Sequence, residues 1–148
     1  MNTFKKYKLP ASIEDISKLQ QHFDIKLPKE LINHYLKYNG GYPEKRYFQK
    51  DDDFYRIDSF YPITNEGASL FHALECMPFD DLEWFPNYLI PFASTAGGDD
   101  FCISIRKEDY GSIWLFLTDY ADDWNKAMIF LASSFDNFIH SLQDIEIK

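Results

Sequence analysis

A glycine corner between two apolar runs constrains the fold of this chain more than any other feature. Residues 90–105 contain both runs, and Gly97-Gly98-Asp99-Asp100 stands between them. Because glycine takes positive φ without a Cβ clash, the pattern predicts a strand, a tight turn and a second, antiparallel strand. The corner carries two carboxylates but no nucleophile, histidine or lysine. It therefore favours a surface that binds another molecule over a pocket that performs a reaction.

Amphipathic helices are predicted at both ends of the chain. The first runs from Ser12 to Phe23, where a capping-box-like start precedes apolar residues at helical spacing. The second begins at Pro28, which suits a first helical position, and stops at Asn39-Gly40-Gly41, whose residues tolerate left-handed φ. A short connection joins these two helices, so we expect them to pack as a hairpin. Ser133 or Ser134 is expected to cap the last helix.

The middle of the chain consists of short apolar and aromatic runs that are typical of strands. They predict an α+β fold, a mainly antiparallel sheet with the N-terminal helical hairpin and the C-terminal helix packed on it. With 148 residues, of which 45% are hydrophobic, the chain is expected to form a single domain over residues 1–148. The predicted strands are 46–49, 54–60, 89–94, 101–106, 112–117 and 128–132, with a helix over 65–76 and loops over 77–88 and 118–125.

The charge of the chain is unevenly distributed. Residues 1–50 hold ten Lys/Arg and five Asp/Glu, for a net charge of +5, whereas residues 51–148 hold five and nineteen, for −14. An acidic surface repels phosphates, so we expect no nucleic-acid ligand, and it suits a basic protein partner. Solubility alone would explain the same composition. The absence of a long apolar run and of a signal-peptide pattern predicts a cytoplasmic protein that does not associate with membranes.

Four motifs follow one another along the chain in a recognisable order. They are Ile25-Lys26-Leu27-Pro28 leading to Asn39-Gly40-Gly41, Ile90-Pro91-Phe92-Ala93 leading to Gly97-Gly98-Asp99, Ile113-Trp114-Leu115-Phe116, and Ala132-Ser133-Ser134-Phe135. With these motifs the chain resembles the SUKH superfamily, which includes fungal cell-wall-assembly regulators and many bacterial immunity proteins. The resemblance implies an α+β fold and a protein-binding role, which in single-domain bacterial members is typically the neutralisation of a toxin domain, often a nuclease. It implies no catalytic residues.

Two predicted loops combine carboxylates with large aromatic side chains, as protein interfaces do. The aromatic residues would anchor the centre of a contact and the acids would steer a partner at its edge. Alternatively, Trp84 and Trp124 close the ends of the core and the acids are merely solvated. If both loops share a face with the Asp51-Asp52-Asp53 turn, that face would mimic nucleic acid towards a nuclease. The candidate residues are Asp80, Asp81, Glu83 and Trp84 in one loop and Asp119, Tyr120, Asp122, Asp123 and Trp124 in the other.

Asp100 is a further candidate, because an exposed turn would offer its carboxylate to a cation or a basic side chain. The alternative is turn chemistry, since Asp favours turns by bonding its own backbone. Asp99 and the two glycines before it are expected to be structural.

Other kinds of site find little support in the sequence. The four histidines lack metal-ligand spacing, the Asp51–Asp53 run lacks the pattern of a calcium loop, and Cys76 and Cys102 are expected to be free thiols. We therefore expect no cofactor, no metal, no catalytic residue and no enzymatic activity.

The sequence thus favours an immunity protein that binds a cognate, basic toxin domain, with a nuclease as one candidate, and occludes its site. The alternatives are a non-catalytic regulatory scaffold that binds other proteins and a hydrolase that uses paired carboxylates. A hydrolase would need a cleft and a buried carboxylate with a raised pKa.

Overall fold

The computed structural model of the chain describes residues 2–63 and 68–144, and this part contains eight β-strands and five α-helices. The strands are β1 (Phe4–Lys5), β2 (Tyr42–Pro43), β3 (Tyr47–Lys50), β4 (Asp53–Phe60), β5 (Leu89–Thr95), β6 (Asp100–Ser104), β7 (Ile113–Phe116) and β8 (Met128–Ala132). The helices are α1 (Ile13–Phe23), α2 (Lys29–Lys37), α3 (Leu70–Cys76), α4 (Trp124–Ala127) and α5 (Phe135–His140). The fold is α+β, as the sequence predicts.

Six consecutive strands form one antiparallel sheet in the order β3-β4-β5-β6-β7-β8. β1 and β2 pair separately. The predicted hairpin around the glycine corner is confirmed as β5 and β6, with Gly98 at a φ of +91°. The sheet is curved, so that its two end strands approach each other. This is shown by the Lys50 ammonium of β3, which lies 5.8 Å from the ring centre of Phe130 in β8.

Helices α1, α2, α3 and α5 cover one face of this sheet, where the main core lies. α1 starts with a complete capping box, in which the Asp15 amide donates to Ser12 Oγ at 3.0 Å and the Ser12 amide donates to Asp15 Oδ2 at 3.3 Å. The apolar stripe that was predicted for α1 is confirmed at Ile16 and Leu19, but Ile13 is 71% exposed. Helices α2 and α5 bury further residues in the same core, namely Leu31, Tyr35, Phe135 and Phe138.

Contrary to the prediction from the sequence, the glycine pair after α2 does not end the helix but has a different structural role. The helix ends at Lys37, and Tyr38 is already extended, so Gly40 and Gly41 lie beyond the cap. A Cβ on Gly41 would stand 2.4 Å from the carbonyl oxygen of Lys5, so glycine is needed there because β1 passes close by. The neighbouring Asn39 is buried, and its side chain bonds the backbone of Leu9 and Ile63.

Two other boundaries differ from the prediction. The helix expected over residues 65–76 begins at Leu70, after its N-cap Ser69, while residues 64–67 lie outside the described residues. The stretch expected to be a loop over 118–125 contains a 3-10 turn and the start of α4, which Asp123 caps through its side chain. The loop predicted over 77–88 is confirmed as irregular structure.

The opposite face of the sheet carries a second, smaller apolar cluster. Successive side chains of a strand point to opposite faces, and β6 follows this rule, with Phe101 and Ile103 in the main core and Cys102 in the second cluster. The loop 77–88 and the segment 118–127 cover this cluster in place of long helices. The buried members of the second cluster are Phe85, Leu89, Cys102, Phe116 and Ala127.

Candidate partner-binding surface

The structure brings the two acidic loops together on one face. The Trp124 indole nitrogen donates to the backbone carbonyl of Trp84 at 3.2 Å, which joins segments forty residues apart. The Trp84 indole nitrogen in turn lies 3.1 Å from the carbonyl oxygen of Cys76 and 3.4 Å from Asp80 Oδ2. Residues 77–88 and 118–127 therefore form one continuous surface, which we call the acidic-aromatic face.

The second apolar cluster supports this face from below. The rings of Phe85 and Phe116 lie 4.4 Å apart between their centres, and Trp84 packs at the edge of Phe85 at 5.5 Å. Such aromatic pairs contribute about 1 kcal/mol beyond the burial of their area. The cluster thus fixes the backbone that carries the acidic side chains.

The glycine corner holds the second loop in place through Asp99. Asp99 Oδ1 accepts hydrogen bonds from the Thr118 amide at 3.0 Å and from Thr118 Oγ1 at 2.9 Å. The Asp99 amide is itself held by Thr95 Oγ1 at 3.1 Å. The expectation that Asp99 is structural is met by this geometry, because its carboxylate fixes the first residue of the 118–127 segment.

Exposed apolar side chains stand among the acids of the face. Leu82 is 82% exposed, Tyr120 48% and Trp124 38%, whereas Trp84 is partly buried. Trp84 therefore closes the second apolar cluster, as the alternative interpretation had it, and Trp124 is available to a partner. An exposed aliphatic and aromatic centre with charges at its edge is typical of a protein-binding surface.

In the described part of the chain, no acid of the face forms an ion pair, although Lys126 lies within the 118–127 segment. The sequence has no Lys or Arg between Arg56 and Arg106. Within residues 2–63 and 68–144, the ion pairs all lie elsewhere. Asp80 accepts a hydrogen bond from the Leu82 amide and Asp123 caps α4, so these two are partly engaged. The exposed carboxylates that make no side-chain hydrogen bond in the described part are Asp81, Glu83, Asp119 and Asp122.

A groove runs between the two loops. It has a volume of about 560 Å³, and Asp80, Asp81, Glu83 and Trp124 are among the residues that line it. A second depression on the other side of Glu83 and Trp124 reaches Asp122 and Asp123. Glu83 stands between the two with a φ of +52°, an uncommon conformation for a residue with a side chain.

Asp100 does not belong to this surface. The expectation of an exposed turn position is wrong, because Asp100 is the first residue of β6 and is only 4% exposed. Its Oδ1 accepts a hydrogen bond from the Tyr61 hydroxyl at 2.6 Å. Burial raises the pKa of the Asp100 carboxyl to about 6, although the hydrogen bond from Tyr61 acts in the opposite direction.

The Asp51-Asp52-Asp53 turn lies beside the glycine corner. The pKa of Tyr55 is raised by burial and by the negative charges of Asp53, Asp51 and Asp99. β4 pairs antiparallel to β5 with Ile57 opposite Thr95, so this turn and the glycine corner lie at the same end of the sheet, and Asp99 also accepts a hydrogen bond from the start of the 118–127 segment. The turn extends the negative charge near that end of the face.

Comparison with known proteins identifies the family of the chain. The family model of the SMI1 / KNR4 family (SUKH-1) matches residues 10–141. The chain belongs to this family. A SPbeta prophage-derived uncharacterized protein of Bacillus subtilis (strain 168), YokK, is 28% identical over 91% of this chain and 76% of its own length. LisH domain-containing protein ARMC9 of Rattus norvegicus is 28% identical over 55% of this chain, but the match spans 11% of that protein.

Sequence reasoning on this SMI1/KNR4-family chain missed the apolar part of the face. Leu82 was not singled out, and neither was Phe79, which lines the groove. One signal was present, since Asp80-Asp81-Leu82-Glu83 places an aliphatic residue among acids in a loop, where burial would be costly for its neighbours.

The described ranges also bear on two other classes of site. Within 2–63 and 68–144, no group of three or more His, Cys, Asp or Glu side chains is arranged to hold a metal ion. In the same ranges none of the helices combines the length and the apolar character that crossing a membrane requires.

Proposed function

We propose that this protein is an immunity protein that binds a cognate bacterial toxin domain and neutralises it by occluding its site. The SMI1/KNR4 (SUKH-1) family includes immunity proteins, and its members act through protein partners. The observation that carries the proposal is the meeting of two distant acidic loops in one face with exposed apolar residues.

The charge of the face supports a basic partner. Asp81, Glu83 and Asp122 are exposed carboxylates that form no ion pair in the described part of the chain, so they are available to a basic surface. Opposite charges raise the association rate and select the partner. A nuclease domain fits this description, because its own ligand is a polyanion that an acidic face can replace. In this proposal the protein is cytoplasmic, acts by binding alone and needs no cofactor.

Capture of the partner tests the proposal. The protein serves as bait in a lysate of its source organism, beside a variant with Asp119→Lys and Asp122→Lys. A control variant with Glu14→Lys and Asp144→Lys has the same change of net charge outside the two loops. We expect the parent and the control to retain one basic protein in stoichiometric amount and the loop variant to lose it.

The captured protein is then produced alone and together with the bait. The proposal requires that it arrests growth or shows a toxin activity alone, and that equimolar bait abolishes this effect. Housekeeping proteins that are held weakly and are lost in high salt would contradict immunity and favour a regulatory scaffold. Equal capture by the parent and the loop variant would show that the acidic-aromatic face is not the interface.

A further inference from the structure

The groove between the two loops combines aromatic walls with carboxylates. Phe79 stacks on Phe23 of α1 at 5.1 Å between ring centres, and Phe85 is buried against Phe116, so both aromatic residues are fixed. Trp124 forms a third, partly exposed wall, and its indole nitrogen is already bonded to the Trp84 carbonyl. The ring orientation is therefore set before any partner arrives.

The carboxylates of the groove are suited to a cation rather than to a neutral group. Asp81 and Glu83 are exposed and make no side-chain hydrogen bond in the described residues, and Asp80 is oriented by the Leu82 amide at 2.8 Å. Three acids around one groove repel one another, and a positive charge among them removes that repulsion.

We infer that this groove binds an arginine side chain that projects from the partner protein. A guanidinium is planar, so it stacks on the indole of Trp124 and donates paired hydrogen bonds to carboxylates such as those of Asp81 and Glu83. Lysine offers a point charge that makes neither arrangement as well. The groove volume of about 560 Å³ accommodates one extended side chain and part of the backbone that carries it. The inference takes its partner from the proposed function, but its chemistry can be measured without a toxin.

The test uses short peptides and the indole N–H signals of the three tryptophans in a ¹H–¹⁵N NMR titration. The probes are acetyl-Gly-Gly-X-Gly-Gly-amide peptides in which X is arginine, lysine or citrulline, and citrulline has the shape of arginine without its charge. We expect the arginine peptide to shift the Trp124 signal and to leave that of Trp114 unchanged. The lysine and citrulline peptides should bind more weakly, citrulline by at least about tenfold, which corresponds to about 1.4 kcal/mol.

Two variants of equal charge locate the site. The pair Asp81→Asn and Glu83→Gln removes two groove carboxylates, while Asp51→Asn and Asp52→Asn removes two from the β3–β4 turn. We expect about tenfold weaker binding of the arginine peptide to the first variant and a change below about twofold for the second. Both replacements are isosteric and exposed, so the fold is retained, which the spectrum itself reports.

Three results would overturn the inference. The first is equal affinity for the arginine and citrulline peptides. The second is an equal loss of affinity for the arginine peptide in both variants. The third is a titration in which the indole N–H signal of Trp124 does not shift. Failure of the peptide test together with successful toxin capture would leave the immunity proposal standing and remove the arginine site. Failure of the capture together with a positive peptide test would remove the immunity proposal and leave the arginine site standing.

Discussion

The two faces of the central sheet are built in different ways. The helix-covered face buries twenty-five residues of the described chain in one continuous core, whereas the loop-covered face buries five. The first face holds the molecule together through apolar area. The second face fixes its loops with a few aromatic contacts, with hydrogen bonds that Trp84 and Trp124 donate, and with one that Asp99 accepts from Thr118. The thin layer has fewer packing constraints, so its outer residues are free to carry charge and exposed apolar groups.

Truncation of one large ring on each face should give the largest effects and distinguish the faces. Phe138→Ala in the main core is expected to lower the free energy of unfolding by about 4 kcal/mol, and Phe85→Ala in the second cluster by about 3 kcal/mol. Urea denaturation measures both values. Hydrogen exchange should accelerate throughout the chain for Phe138→Ala, but mainly in 77–88 and 118–127 for Phe85→Ala. Global acceleration in both variants would mean that the two clusters unfold as one.

Replacement of Asp100 should stabilise the protein at neutral pH. The pKa of Asp100 is about 6 in the folded protein against an ordinary value of 3.8, so its contribution to stability is lost as pH rises from about 4 to 6. Asp100→Asn removes the buried charge and can still accept the hydrogen bond from Tyr61. We expect the variant to be more stable than the parent by up to about 3 kcal/mol at pH 7.5.

The pH dependence provides the control for this prediction. At pH 3 the Asp100 carboxyl is protonated in the folded protein and mostly protonated in the unfolded chain, so the parent and Asp100→Asn should have nearly equal stability in thermal or urea unfolding. A variant that is less stable than the parent at pH 7.5 would contradict the burial of an ionisable carboxyl at this position.

The helix-covered face contains His34, a titratable group whose effect on the pH dependence of stability is opposite to that of Asp100. His34 lies among the rings of Phe4, Phe60 and Phe135, and burial lowers its pKa from 6.5 to about 3. In the described residues its Nε2 has no hydrogen-bond partner. Below pH 6.5 the unfolded chain therefore binds a proton at His34 that the folded protein does not bind. The free energy of unfolding decreases as the pH is lowered from 6.5 to about 3.

His34→Phe should remove this part of the pH dependence. Between pH 6.5 and pH 5 we expect the free energy of unfolding of the parent to fall by about 1.6 kcal/mol because of His34, a loss that the variant does not show. Parallel curves of unfolding free energy against pH for the parent and the variant would show that His34 is not the group responsible. Comparison in the Asp100→Asn background separates the two titrations, since they act in opposite directions between pH 4 and 6.

The smallest effect is expected at the glycine corner. Asp99→Ala removes the acceptor of two bonds from Thr118 and should cost about 1–2 kcal/mol. Thr118→Val keeps the amide bond and loses the hydroxyl bond, so it should cost about half as much. The Trp124 indole signal should move in Asp99→Ala if the corner positions the acidic loop. An unchanged signal would show that Trp84 alone holds Trp124.

Local patterns were sufficient to predict most elements of the fold, although β1, β2 and α4 were not among the predictions. The capping box of Ser12, the hairpin at Gly97-Gly98 and the strand at Met128–Ala132 each depend on neighbouring residues and are confirmed. The sequence could not show why Gly41 is needed, because the reason is the close passage of β1. Asp100 was misjudged for a similar reason, since its partner Tyr61 is thirty-nine residues away.

The candidate surface was predictable in its parts but not in its assembly. The acidic and aromatic composition of both loops is visible in the sequence, and so is the family resemblance. The contact between them depends on the register of β5, β6 and β7, which carries Trp84 and Trp124 to the same place. The exposure of Leu82 depends on how residues 77–88 close over Phe85, which no local pattern encodes.

The most direct test of the acidic-aromatic face is hydrogen–deuterium exchange of the protein alone and in complex with its captured partner. We predict that protection on binding is concentrated in residues 77–88 and 118–127, while α1 and α2 exchange as in the free protein. Protection confined to the helix-covered face, with both loops unchanged, would contradict the assignment of this face as the partner-binding surface.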